Sequence, residues 1–373
     1  MKIRMVRNEL LTALQRVQGV VEKRTTMPIL SNLLIEAQGE GIQVFATDLE
    51  IGLKGTYEGE ILERGAVSLS ARKLYEITKE LPEGNISLSL QENNWVLIEA
   101  GRGQFKIMGL PKEEYPTAPI LEEATAISVK RDVLMELIRK TLFAVGDNDA
   151  RYILNGLLLH LDWAKEKKVL RFVGTDGHRL AVIQRELGPQ GSGNGQERDL
   201  IIPKKAVLEL RRLLEEDNED PMLGLGKNQL VIQKKKITFF TRLMEGTYPN
   251  YQQVIPKEND KKVPVTRQDL EGALRRVALL SREKTNAIKL SLEPGRLTLA
   301  SSNPELGEAK EEMVVPYKGE GLQTGFNARY LLDVLGAFES DQAVLEFKDA
   351  LSPCLIREVK DPGYLCVVMP MRV

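Results

Sequence analysis

Cysteine, histidine, tryptophan and excess charge are all scarce in this chain, and each shortage narrows what it can be. Two cysteines, Cys354 and Cys366, among 373 residues exclude a disulfide-built scaffold, and two thiols without further ligands cannot complete a zinc site. Both are read as reduced strand or core residues. Two histidines leave little imidazole chemistry: His160 lies on the alternating apolar run LLLHLD, and His178 in a glycine-flanked turn. Aromatic residues make up 5%, with no aromatic-rich RNA-binding signature, zinc-finger spacing or basic zipper. No run approaches the roughly 18 apolar residues of a membrane span, and MKIRMVRNEL lacks the apolar core of a signal peptide. The expected compartment is therefore the cytoplasm. A net charge of −1 means that any surface suited to a charged partner must come from segregation of charge.

Repetition is what the chain does have. The segment IRMVRNELLTALQRV reads as a short strand followed by a helix, with Leu10, Leu14 and Val17 at helical spacing. The same pattern returns as ISVKRDVLMELIRKT and as VPVTRQDLEGALRRV, bringing Leu10, Leu134 and Leu270 into register together with Arg7, Arg131 and Arg267. The copies lie roughly 130 residues apart, so each unit is domain-sized and not a solenoid repeat of 20–50 residues. A second helix also recurs, as ARKLYEITKEL, KKAVLELRRLL and ARYLLDVLGAF, superimposing Leu74, Val207 and Leu331 and the acids Glu76, Glu209 and Asp333. Each unit reads β-α-βββ-α-βββ or close to it, an α+β fold written three times. Loop-like compositions at PTAPILEEA and PKENDKK separate the units, giving domains 1–122, 123–257 and 258–373. The glycine-rich stretch 188–199 reads as a mobile surface loop; it lacks the Lys-Ser/Thr ending of a phosphate cradle.

The centre of the chain is GTDGHRLA, residues 174–181. The strand-like run 169–173 enters a turn with glycine at both ends, and an apolar run leaves it, which predicts a tight hairpin. Weaker versions lie at 43–51 and 297–307. As a catalytic reading, Asp176 and His178 with Thr175 or Ser192 as nucleophile would still need a third group to hold the base, or converging metal ligands. No enzyme, cofactor or metal is expected. The tail VVMPMRV reads either as a last edge strand bent by Pro370 or as a groove wall in which Met369 and Met371 repack around apolar peptides.

Basic residues recur at equivalent helix addresses: Arg139 and Arg275, matched by the neutral Gln15 in the first repeat, then Arg16, Lys140 and Arg276, and at the start of the second helices Arg72, Lys205 and Arg329, with Lys204 beside Lys205. Any one pair is ordinarily a solvated face, but recurrence favours one positive surface made for a phosphate polymer contacted without base reading.

The motifs RYILNG (151–156), TDGHRLAV (175–182), FNARYLLDVL (326–335) and the ending VVMPMR, with MPILSNLL, LPEG and EGTYPNY, resemble the β sliding clamp family of bacterial DNA polymerase III over the whole chain. The resemblance implies three tandem processivity-fold (DNA clamp) domains, helices lining a ring interior and antiparallel sheets outside. It also implies a head-to-tail homodimer encircling double-stranded DNA without sequence preference, and no catalytic residues. The implied partners are the polymerase III alpha subunit, a clamp loader complex, and other replication and repair proteins carrying clamp-binding motifs. It assigns a peptide pocket to Leu154, Thr175, Gly177, His178, Arg179, Leu180, Pro249, Val254, Asn327, Tyr330, Val367, Met369, Pro370, Met371 and Arg372. It assigns DNA contact to Arg24, Asn148 and Tyr152, beside the basic helix positions Arg72, Lys204 and Lys205. The ring interface would bring Phe105 and Ile107 of one chain against Leu279 and Leu280 of the other. Gln253, Thr285 and Val373 depart from residues common in the family, which bears on peptide preference. Two other readings remain open at this point: a peptide-binding, DNA-associated scaffold that does not encircle DNA, and a hydrolase built on Asp176 and His178.

Overall fold

The computed structural model describes residues 1–22, 27–39, 41–118, 125–163, 168–187, 197–283 and 285–372. Six α-helices appear among them: α1 (Arg7–Val17), α2 (Ala71–Glu80), α3 (Arg131–Arg139), α4 (Lys204–Glu215), α5 (Arg267–Ala278) and α6 (Ala328–Ala337). They occupy the six addresses the repeat predicts. Each buries the stripe its spacing dictates: Leu10, Ala13, Leu14 and Val17 in α1, and Leu270, Ala273, Leu274 and Val277 in α5. Local chemistry begins two of them, since the Ser70 hydroxyl accepts the Lys73 amide ahead of α2 and the Asn327 side chain accepts the Arg329 amide ahead of α6.

Each repeat runs strand, helix, strands, helix, three strands, with more strands between its helices than expected. The additional ones lie just before the second helix: Gly65–Ser70, Arg198–Pro203 and Leu322–Asn327. The first repeat adds Glu60–Glu63. The sequence pattern hides these strands because they are short and end in the residues that start the helix.

By internal packing the chain forms two compact units, the first chiefly Met1–Arg131 and Lys205–Leu243, the second chiefly Asp132–Pro189 and Met244–Val373. Strand pairing explains why three repeats pack as two units. In unit 1, strand Ile237–Arg242 of the middle repeat pairs with Ile51–Tyr57 of the first, Thr241 opposite Ile51, inside a 13-stranded sheet. In unit 2, strand Arg179–Glu186 of the middle repeat pairs with Tyr364–Val368 of the last, Leu180 opposite Val367, inside an eight-stranded antiparallel sheet. A separate four-stranded sheet holds Ala287–Glu293, Arg296–Asn303, Gly307–Val314 and Leu322–Asn327. Strand Tyr364–Val368 therefore has neighbours on both sides, which overturns the edge-strand reading of the tail; only Met371 goes on to form a bridge, with Gly325. Cys354 and Cys366 are free thiols buried in strands, and burial pushes Cys366 up to about 12. No helix among the described residues is long and apolar enough to cross a membrane.

Candidate functional site

The turn at 175–179 is held by its own side chains. The Thr175 hydroxyl donates to the Arg179 carbonyl at 2.6 Å and accepts the Gly177 amide at 3.0 Å. Asp176 Oδ1 accepts the His178 and Arg179 amides at 2.9 and 3.0 Å, and Oδ2 accepts Arg179 Nε at 3.0 Å. Both carboxylate oxygens of Asp176 thus help to hold the turn. Gly177 has φ +81°, and a Cβ there would fall 2.5 Å from Arg151 Nη1. The Arg151 guanidinium in turn donates to the Asp176 carbonyl at 2.8 Å and pairs with Asp149, holding that carboxyl down at about 2.

This turn forms one wall of a cavity of about 190 Å³ whose lining is mostly apolar. Leu154, Thr175, Gly177, Arg179, Leu180, Pro249, Val254, Val367 and Met369 line it, and so do Arg151 and Tyr251. Those last two were missed as side chains, although they stand inside the quoted motifs RYILNG and EGTYPNY.

Of the remaining assigned residues, His178 and Tyr330 meet. The His178 ring lies nearly parallel to the Tyr330 ring, centroids 6.3 Å apart. Arg179 reaches both the turn and Tyr330, its guanidinium 4.5 Å over Tyr330 and 5.5 Å over Phe143 and paired with Asp176 and Asp333. Asn327 is occupied as the cap of α6. The tail is pinned on either side of Pro370, since the Met369 amide donates to the His178 carbonyl at 2.8 Å and the Met371 amide to Gly325 at 2.9 Å. Arg372 is exposed and Val373 lies outside the described residues.

Unit 1 contains the same turn without the same cavity wall. Thr47 and Asp48 repeat the bonding of Thr175 and Asp176, to Ile51 O, Leu49 N, Glu50 N and Ile51 N at 2.7–3.0 Å. The position of Gly177 is taken by Leu49 at φ +78°. Where Leu180 faces Val367 in unit 2, Gly52 faces Phe240 in unit 1. The Phe240 ring lies 2.1 Å from where a Cβ on Gly52 would fall, and it packs with Phe45 and Tyr115. An aromatic ring there fills the space above the strand that a leucine side chain takes in unit 2.

The basic addresses divide sharply. Arg7 donates to the Thr78 and Lys79 carbonyls and Arg131 to Leu214, so in the first two repeats this arginine satisfies the last carbonyls of the second helix, whereas Arg267 in the third pairs with Glu271. Lys140 is 1% exposed and bound by Glu358 and Asp361, which removes it from any external surface. Arg16 is clasped by Glu216, and Arg139, Arg275 and Arg276 pair with Glu339, Glu271 and Glu311. Recurrence at these addresses therefore reflects the repeated fold as much as a repeated surface. Among the DNA-contact assignments, Arg72, Asn148 and Tyr152 are exposed. Lys204 is half-buried, donating to the Val145 carbonyl; Lys205 pairs with the buried Asp48. Arg24 falls outside the described residues, as do Ser192 and most of the glycine-rich stretch. Of the interface assignments, Phe105 is 41% and Leu279 75% exposed, with Ile107 and Leu280 half-buried.

Comparison with known proteins covers the whole chain. The DNA polymerase III beta subunit family matches by its N-terminal domain at residues 1–119, its central domain at 128–250 and its C-terminal domain at 252–372. This chain belongs to that family. The beta sliding clamp of Caulobacter vibrioides is 38% identical over 375 residues, all of both chains, and that of Pseudomonas putida 39% over 369 residues, 98% of each. Among solved structures, a sliding clamp from Bartonella birtlesii bound to griselimycin superposes with a TM-score of 0.95 at 38% identity. The polymerase III subunit beta of Pseudomonas aeruginosa gives 0.92 at 38%; each covers all of both chains. The family match gives three tandem clamp domains of mixed helix and antiparallel sheet, the architecture expected from the repeats.

Proposed function

We propose that this chain is a DNA sliding clamp: two copies join head to tail into a ring that encircles duplex DNA without reading its sequence and tethers the replicative polymerase III. It acts as a non-catalytic subunit of that nucleotidyltransferase holoenzyme, in the cytoplasm. The observation that carries this reading is the family match in all three domains, in order, along the full length. Domain limits at 122/123 and 257/258 go with it.

Two further features support it. Strand Gly103–Leu110 meets its second neighbour only at Gly109 and Leu110, and Gly307–Val314 ends its sheet, so each offers an edge to another chain. Phe105 and Met108 stand exposed with Lys106 on the first, Val314 with Glu308 and Glu312 on the second, a pairing that joins apolar area to opposite charge. The cavity beside Thr175–Arg179 is a greasy slot with polar rims, suited to a short peptide bearing Leu and Phe side chains. The polymerase alpha subunit, the clamp loader and other replication and repair proteins would dock there in turn. DNA contact is assigned to Arg24, Arg72, Asn148, Tyr152, Lys204 and Lys205.

The test is topological. Protein loaded on nicked circular DNA should stay bound through a salt wash and be lost once the circle is linearised. Equal retention on both forms would instead establish a scaffold that binds DNA from one side.

A further inference from the structure

A second depression of about 650 Å³ shares Val254 and Met369 with the apolar cavity, so the two adjoin. Its character differs. It is walled by Gln252, Gln253, Lys257, Lys348, Ser352 and Asn259 among others. The far wall is stiff: Asn259, 7% exposed, donates through Nδ2 to the Glu346 and Pro353 carbonyls at 2.7 and 3.1 Å, tying the 254–260 segment to the Gln342–Phe347 and Cys354–Glu358 hairpin. Ser352 is fixed on Asp349 at 2.8 Å.

The charges in this lining do not cancel. Lys348 is neutralised by Glu258 at 2.9 Å, whereas Lys257 is exposed and has no ion-pair partner among the described residues. The exposed amides of Gln252 and Gln253 stand beside it. An ammonium group and two amides at the mouth of an apolar slot are suited to an extended segment carrying a carboxylate.

We propose that this depression is a specificity subsite for the residues flanking the apolar anchors of a docked peptide, and that Lys257 selects peptides whose flank is acidic. The proposal rests on the peptide-docking reading of the apolar cavity. The apolar cavity would supply most of the affinity through burial of the anchors. The polar annex would rank partners that share the same anchors, because a rim charge changes preference more than it changes total affinity.

The test uses full-length protein and two fluorescent peptides with identical Leu and Phe anchors, flanked at both ends by two aspartates or by two lysines. Wild type should bind the aspartate-flanked peptide roughly three- to fivefold more tightly at low salt, and the difference should shrink at about 0.3 M salt. Lys257→Met should erase the preference and Lys257→Glu invert it, while the uncharged Val254→Ala should weaken both peptides alike. An unchanged preference in Lys257→Glu, with Val254→Ala still weakening both, overturns the subsite and leaves the docking site standing. If neither peptide binds wild type, the docking reading fails and the subsite fails with it.

Discussion

Replacing Lys140 by methionine isolates one buried charge. In unit 2 its ammonium lies 2.8 Å from Glu358 Oε2, 2.8 Å from Asp361 Oδ2 and 3.4 Å from Glu136 Oε1, and 4.8 Å over the Tyr364 ring. The side chains of Lys140 and Glu358 are 2% and 3% exposed. Methionine keeps most of the packing volume and removes the charge. Asp361 and Glu136 would retain Arg185, and Glu358 would retain the Glu339 and Ser340 amides, but Glu358 would lose the one cation it pairs with among the described residues. Breaking a buried pair from one side costs about 3–5 kcal/mol; the surviving partners put this case near the low end, about 3 kcal/mol.

The chain has two tryptophans, Trp95 in unit 1 and Trp163 in unit 2. Urea unfolding followed by Trp163 fluorescence in a Trp95→Phe background therefore reports on unit 2. Burial by itself would raise the Asp361 and Glu136 carboxyls, yet the hydrogen bonds from Arg185 and Lys140 outweigh it and hold both below the ordinary value. A depressed carboxylate contributes stability that is present above the unfolded pKa, about 4, and lost as pH falls through the folded one. The penalty of Lys140→Met should thus be full near neutrality and shrink below about pH 4 as Asp361 and Glu136 take up protons. A loss under about 1 kcal/mol at pH 7, or one that does not change with pH, would refute the claim that this network is a buried ion-pair core and not a solvated cluster.

Further outcomes follow from the two versions of the turn. Gly52→Ala should destabilise unit 1 by about 1–3 kcal/mol, since its Cβ collides with the Phe240 ring, and Phe240→Val in the same chain should restore most of the loss; Trp95 fluorescence in a Trp163→Phe background reads both. Leu49→Gly should raise the stability of unit 1 by up to about 1 kcal/mol by relieving a leucine at φ +78°, while Gly177→Ala should lower that of unit 2 by more than that. Arg7→Ala should cost about 1–2 kcal/mol in the same unit 1 assay, because the last α2 carbonyls lose their donor.

Helix positions and the repeat were legible because an α-helix must bury a stripe at 3.6-residue spacing, and Leu10, Leu134 and Leu270 announce it three times. The hairpin at 174–181 was legible because glycine at 177 and the Thr-Asp pair write their own hydrogen bonds locally. The addresses of basic residues were legible too, but not their roles. Lys140 and Arg276 occupy one repeat position, yet Lys140 lies beneath Glu358 and Asp361, residues more than two hundred positions away, while Arg276 stays at the surface. Short strands such as Gly65–Ser70 and Arg198–Pro203 carry too few residues to show a period.

What the amino-acid order determined alone was therefore everything set by neighbours in the chain: three α+β repeats, their six helices and the Thr175–Arg179 turn. Tertiary structure decided which repeats share a sheet, which cations are sealed inside, and why a cavity opens beside Leu180 and Val367 while Phe240 covers Gly52. Those outcomes depend on contacts between segments far apart in sequence, and side-chain volume at one strand crossing selects between a filled space and an open one.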